Sequence, residues 1–177
     1  MILFIDCGDT LCDESTEVRD FPGGVVKEAF LFPGAEEALQ KVHEMGIPIV
    51  LVADGLEASF AYILRNVRSL FDGWVTSESV GAQKPSEKMF ETAMRTLSLG
   101  EADKPSIVMV GNNLRKDIIG ANRFGLISVL ADWSPRYDMT PRTSEEEPDY
   151  RLHDIRELPE LLSEIRLTLS LTADRRS

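Results

Sequence analysis

A carboxylate stands directly after the first apolar run of the chain, in Asp6-Cys7-Gly8-Asp9-Thr10-Leu11. A carboxylate at the carboxyl end of a strand projects into the crevice where open α/β sheets hold ligands, and small neighbours let backbone N–H groups approach an anion. By itself the segment reads equally as a turn or a helix N-cap, since Asp, Gly and Thr are all turn residues. Two further segments bear on the choice. Gly81-Ala82-Gln83-Lys84-Pro85 sets a lysine just ahead of a helix, directed back toward the strand ends. Val110-Gly111-Asn112-Asn113-Leu114-Arg115-Lys116-Asp117 follows another apolar strand with a glycine-led polar loop that ends in a carboxylate. A lone lysine is usually a solvated surface residue and a lone aspartate usually a cap. A carboxylate, an ammonium and a second carboxylate, each at a strand-to-helix junction, instead suggest convergence on one anion pocket.

The elements that must position these residues alternate along the chain. Ile2–Ile5, Pro48–Ala53, Trp74–Thr76, Ile107–Val110 and Ile127–Ala131 are continuous apolar runs, the pattern of strands covered on both faces. Between them, apolar residues recur with a helical period. Ala35, Ala38, Leu39, Val42 and Met45 share a face that stops at Gly46, and Phe60, Ile63, Leu64 and Val67 form a second stripe. Met89, Phe90, Ala93, Met94 and Leu97 follow Ser86, which has the chemistry of an N-cap. Asp117–Arg123 reads as a short helix ended by Gly125, and Leu158, Leu161, Leu162, Ile165 and Leu169 line the last helix. The expected fold is a Rossmann-like α/β three-layer sandwich around a mainly parallel sheet, forming one domain over residues 1–177. Residues 12–32 break the rhythm with Thr16 and Val18, then Phe21-Pro22-Gly23-Gly24, then Val25, Val26 and Phe30, which predicts a β-hairpin flap after the first strand. Residues 132–149 read as a long polar loop.

Bulk composition narrows the function classes. A length of 177 residues with 43% hydrophobic content suits one globular domain. A formal net charge of −11 argues against binding a nucleic-acid backbone or an acidic membrane, although a local site for a small anion remains compatible with it. Cys7 and Cys12 are too few for a disulfide scaffold and have no zinc-ligand set around them. The apolar runs at Met1–Ile5 and Ile47–Ala53 are strand-sized, so neither a signal peptide nor a membrane span is expected, and a reduced, cytoplasmic setting is.

The ordered segments resemble those of the haloacid dehalogenase (HAD) superfamily of hydrolases over nearly the whole chain. The family's first motif, a strand followed by Asp-x-Asp-x-Thr, is matched by Asp6 and Thr10. Its second, a strand ending in Ser or Thr, falls at Ala53 in Val52-Ala53-Asp54-Gly55, and its third, a lysine before a helix, at Lys84. Its fourth, Gly-Asp-x-x-x-x-Asp, falls at Gly111, Asn112 and Asp117. Leu31-Phe32-Pro33-Gly34 and Gly120-Ala121-Asn122-Arg123-Phe124-Gly125 are also family-like. The resemblance implies a magnesium-dependent phosphatase in which Asp6 is the nucleophile and forms an aspartyl-phosphate. It implies that Mg²⁺ bridges Asp6, the Gly8 carbonyl, Asn112 and the substrate phosphate. Lys84 would neutralise the charge shared by Asp6 and the phosphoryl oxygens, with Asp117 holding Lys84 or a metal-bound water. Thr10 and the backbone N–H of Asp54 would help bind the phosphate.

Three positions depart from the family pattern. Gly8 stands where phosphatases carry an acid/base Asp, with Asp9 one place later as its substitute. General acid/base help is worth roughly 10²–10⁴ in rate, so good leaving groups such as acyl or aryl phosphates are expected to be favoured. Ala53 removes a phosphate-binding hydroxyl, and Asn112 removes a negative charge from the metal site. The alternatives are a catalytically impaired member that binds an anionic ligand or protein partner, and a dehalogenase-like hydrolase. Only residues 12–32 follow the first motif, and residues 55–83 hold just a helix and a strand, so the capless type of the family is expected. Its open crevice suits a phosphorylated small molecule, a macromolecule, or a neighbouring subunit of a homo-oligomer. Arg136 and Arg142 are read as solvated, Cys7 as a small buried residue, and His43 and His153 as structural or surface groups.

Overall fold

A computed structural model of the chain describes residues 1–134 and 136–174. The elements run β1 (Ile2–Ile5), β2 (Cys12–Arg19), β3 (Val26–Leu31), α1 (Ala35–Glu44), β4 (Ile49–Ala53), α2 (Glu57–Ile63), β5 (Gly73–Thr76) and α3 (Ser77–Val80). They continue with α4 (Glu87–Thr96), β6 (Ile107–Gly111), α5 (Ile119–Phe124), β7 (Ile127–Ala131), β8 (Tyr150–Leu152) and α6 (Leu158–Asp174). A six-stranded sheet has the order β5-β4-β1-β6-β7-β8, and its pairings are parallel. From β1 the chain winds outward through β4 and β5 on one side, then crosses back to β6, β7 and β8 on the other. The crevice beside the carboxyl end of β1 is therefore a topological switch point, the usual ligand position in such sheets.

The strands read as unbroken apolar runs because both of their faces are covered. Leu3 and Ile5 of β1 pack with Ala38, Leu39 and Val42 of α1 and with Leu158, Leu162 and Ile165 of α6. Ile2 and Phe4 point the other way, into a cluster with Met89, Phe90 and Ala93 of α4 and with Phe124 of α5. The period-two alternation of a strand thus serves two cores, and each fully buried Leu or Phe contributes ~1.5–3 kcal/mol. This is the three-layer sandwich that the sequence predicts.

The flap is present as the antiparallel pair β2–β3. It docks on α2, where the Val26 N–H donates to Ser59 Oγ at 3.0 Å and the Lys27 ammonium sits 4.3 Å over the Tyr62 ring. Several expectations need correction. β8 lies just beyond the predicted loop and adds an edge strand to the sheet, with only Leu152 fully buried. The predicted helix from Asp117 begins earlier, as a π-type turn over Leu114–Ile118 that runs into α5. Ser86 flanks α4, yet its side chain makes no capping hydrogen bond. Among the described residues no helix is long and apolar enough to cross a membrane.

Candidate active site

The three segments singled out in the sequence meet at the carboxyl edge of the sheet. The Lys84 ammonium lies 2.7 Å from Asp6 Oδ1 and 2.6 Å from Asp117 Oδ1, with all three side chains nearly sealed from solvent. Asp6 is delivered by β1, whose ladder continues through the Asp6 N–H to Val110 O at 2.9 Å. The turn behind it is tight, because the Cys7 carbonyl accepts N–H groups from Thr10, Leu11 and Cys12. Lys84 is brought in by the segment before α4, and its own N–H donates to Asp54 Oδ1 at 3.0 Å. Asp117 lies in the π-type turn and accepts the Asn113 N–H at 3.0 Å through Oδ2.

Burial alone would lower the pKa of the Lys84 ammonium. The charges of Asp117, Asp6 and Asp54 outweigh it and hold the group above the ordinary lysine value. Burial pushes the Asp117 carboxyl up to about 6, a rise that Lys84 opposes and Asp6 reinforces. Lys84 is thus a fixed cation placed against two carboxylates, one reaching into the cleft and one behind it. Close packing at Gly111 makes this possible. A Cβ there would stand 2.6 Å from Asp117 Cβ and nearer still to its carboxyl carbon. Gly111→Ala is accordingly expected to displace Asp117 and cost about 1–3 kcal/mol as an overpacked site. Chemical denaturation of the variant checks this, and an unchanged midpoint would show that Asp117 has room to yield.

A cleft of about 110 Å³ opens beside Asp6, Gly8, Asp54, Lys84, Asn112 and Asp117. Thr10 is fully buried; its hydroxyl donates to Asp6 Oδ2 at 3.4 Å, so it steadies the carboxylate from behind. Ala53 packs into the apolar core. Asp54 faces the cleft with its side chain, and Lys116 Nζ lies 2.8 Å from its Oδ2. Asn112 is buried, and its Nδ2 has no hydrogen-bond partner among the described residues.

Asp9 occupies a different setting from the one expected of an acid/base. It takes a left-handed backbone conformation, φ 52°, which aspartate tolerates better than most residues. Its carboxylate is buried against the Arg136 guanidinium and accepts the Glu14 N–H at 3.2 Å. Both oxygens are engaged, Oδ2 by Arg136 and Oδ1 by the Glu14 N–H, and Asp9 is not among the residues that line the cleft.

Sequence reasoning passed over two participants and misplaced a third. Glu14, on β2, lines the cleft, and burial raises its pKa against the pull of Arg136. Arg136, read as solvated, joins the long loop to the flap by pairing with Asp9 and with Glu14 Oε2, the latter at 2.8 Å. Lys116 was seen only as part of a motif. The signal available for Glu14 was its spacing, since residues two apart on a strand share a face and Cys12 on that face is buried. Cys7 is inert in this setting: its contact with Cys12 and its burial hold the thiol well above the ordinary range.

This sheet, with its acid–lysine–acid cluster beyond β1, is that of a family of hydrolases. A description of that family, haloacid dehalogenase-like hydrolase, matches residues 21–125, and the chain belongs to it. A glyceraldehyde 3-phosphate phosphatase of Methanopyrus kandleri is 34% identical over 137 residues, 76% of this chain and 57% of that protein. A ribulose-1,5-bisphosphate 5-phosphatase of Halopiger xanaduensis is 33% identical over 146 residues, 78% of this chain and 59% of that protein. The chain therefore spans a little over half the length of these relatives. The crystal structure of an uncharacterized protein from Listeria monocytogenes serotype 4b superposes with a TM-score of 0.72 at 24% identity. It covers 93% of this chain and 97% of that one, a likeness of fold alone.

Proposed function

We propose that the chain hydrolyses phosphate monoesters by passing the phosphoryl group to Asp6 and then to water. The observation that carries this reading is the convergence of Asp6, Lys84 and Asp117 within salt-bridge distance at the mouth of one cleft. Phosphoryl transfer asks a protein mainly for positioning and charge stabilisation. Asp6 provides an oxygen nucleophile with one oxygen pinned by Lys84, which fixes its direction of attack. Lys84 offsets the charge that the carboxylate and the incoming phosphate would share, and Asp117 keeps it in place. Phosphatase relatives at 33–34% identity support the same reaction class.

The cleft also fits a divalent cation. Even with Glu14 neutral, its lining carries four carboxylates (Asp6, Glu17, Asp54, Asp117) against three cationic side chains (Arg19, Lys84, Lys116). A phosphate dianion entering alone would meet net repulsion. Among the described residues no three His, Cys, Asp or Glu side chains form a ligand set. Asp6, the Asn112 amide and the Gly8 carbonyl would hold Mg²⁺ as hard oxygen donors, with the substrate contributing the rest. When bound, it supplies neutralising charge to the phosphoryl oxygens. Asn112→Asp adds a carboxylate to the unpartnered amide position and is expected to tighten magnesium about tenfold, as ligand charge does at such sites. Calorimetric titration reads this directly, and equal affinity in the two proteins would remove Asn112 from the site.

Substrates on this reading are phosphorylated small molecules that an open cleft admits, or a larger phosphorylated partner. On this reading the flap of a single domain over residues 1–177 stands in place of a cap domain, and the neighbouring subunit of a homo-oligomer would enclose the substrate. Free, buried Cys7 and Cys12 support a reducing, cytoplasmic setting. The test is turnover of an aryl phosphate and an alkyl phosphate, each with magnesium and with chelator. Magnesium-dependent release of phosphate is expected, and failure to hydrolyse either ester defeats the proposal. Gly8 taken alone would favour the aryl ester, and the Glu14 carboxyl lies in the space beside it.

A further inference from the structure

A carboxylate from another part of the chain occupies the volume that a side chain on residue 8 would fill. A Cβ on Gly8 would stand 2.8 Å from Glu14 Cδ and closer still to Glu14 Oε1. Gly8 is therefore more than a missing side chain, since even a methyl group there collides with the Glu14 carboxyl. Glu14 lines the cleft together with Asp6, Gly8 and Lys84. Its position is fixed from two sides. Arg136 Nη1 lies 2.8 Å from Oε2, the oxygen other than the one against Gly8. The Glu14 N–H donates to Asp9 Oδ1 at 3.2 Å, and Asp9 is itself clamped by the same Arg136 guanidinium. The reversed Gly8-Asp9 order thus forms one unit: glycine opens the space, Glu14 enters it, and Asp9 with Arg136 holds Glu14 there.

We propose that Glu14 is the general acid and base of the reaction, acting from the place of the side chain that Gly8 lacks. The inference rests on the phosphate-ester reading above. In the first step Asp6 attacks phosphorus, the bond from phosphorus to the ester oxygen breaks, and that oxygen takes the proton of the Glu14 carboxylic acid and departs as the alcohol. In the second step the Glu14 carboxylate takes a proton from water as the water oxygen attacks phosphorus. The bond between phosphorus and Asp6 breaks, returning Asp6 as a carboxylate and Glu14 as the acid. Ester and water become alcohol and phosphate, with no outside oxidant or reductant. Asp9 and Arg136 are positioning residues, because they act through Glu14.

An alkyl leaving group needs its proton far more than an aryl one, so leaving-group dependence isolates this role from a structural one. Glycerol 3-phosphate and p-nitrophenyl phosphate are the probes, used with the full chain and magnesium. In Glu14→Gln the ratio of alkyl to aryl kcat/KM is expected to fall about 10²–10⁴-fold, with the thermal midpoint monitored to confirm folding. Gly8→Asp collides with Glu14 in the wild-type background. In Glu14→Ala the space is vacated, so Gly8→Asp combined with Glu14→Ala is expected to restore part of the ratio that Glu14→Ala alone loses. A wild-type protein that hydrolyses both esters, with a Glu14→Gln variant that keeps the same ratio, overturns the role of Glu14 alone. Failure of the double variant to recover any of the ratio counts against it as well. A folded wild-type protein that hydrolyses neither ester overturns the phosphatase reading and this role with it.

Discussion

Asp6→Asn is expected to reduce phosphate-ester turnover on the order of 10⁴-fold or more while leaving the fold in place, since nucleophile removal usually costs this much. The substitution keeps the volume of the side chain at the end of β1. It removes the anionic oxygen that must bond to phosphorus, and the amide is too poor a nucleophile to replace it. Lys84 keeps Asp117 as its counterion at 2.6 Å, so the buried cation is not abandoned. Steady-state kinetics with a circular-dichroism check separates the two effects. Turnover within tenfold of wild type in a folded variant would exclude Asp6 as the attacking group.

Lys84→Met has the larger effect on stability. Lys84 is the only cation within salt-bridge distance of Asp117 among the described residues, and it reaches Asp6 as well. Without it two carboxylates face each other in a nearly dry site. Breaking a buried pair by removing one partner typically costs about 3–5 kcal/mol. Turnover should be lost as well, because Asp6 then has no fixed direction and the phosphate loses its ammonium partner. The stability loss should depend on pH with a definite sign. Burial already pushes Asp117 up to about 6 with Lys84 present, and removing the ammonium raises it further. A carboxyl whose folded value exceeds its unfolded value of about 3.9 makes the folded state hold its proton longer. Stability contributed by the protonated group is therefore present at low pH and is lost as pH rises through the folded value. Relative to wild type, Lys84→Met should be least destabilised near pH 4 and increasingly so toward pH 7. Adding Asp117→Asn should recover part of the loss at neutral pH. Denaturant midpoints across that range check this, and a pH-independent difference would place the cost in packing instead of charge.

The residues that carry this account differ in how visible they were beforehand. β1 and β7 were readable to the residue, because β1 is an unbroken apolar run, β7 is interrupted only by Ser128, and each ends at a polar junction. Asp6, Lys84 and Asp117 stand after β1, after β5 and α3, and after β6, and a parallel sheet places all its strand-to-helix turns at one edge. β8 was not visible: Tyr150-Arg151-Leu152 is a short edge strand with a single fully buried residue, too little for a periodic signal. The π-type turn over Leu114–Ile118 depends on hydrogen bonds made by Asn113 and Asp117, which composition does not reveal. Glu14 escaped notice for a physical reason. Its place beside Gly8 depends on the path of the hairpin and on Arg136, more than a hundred residues away in sequence. The resemblance to the family's first motif implied that an acidic side chain was missing at residue 8. Only the tertiary fold shows what fills the gap.

The most direct measurement of covalent transfer is acid quenching during turnover of a substrate carrying labelled phosphate, followed by mapping of the protein-bound label. A labelled acyl-phosphate on Asp6 is expected, formed at a rate no slower than steady-state turnover and absent from Asp6→Asn. Sustained phosphate release with kinetically competent label on some other residue, and none on Asp6, would contradict the assignment of the nucleophile.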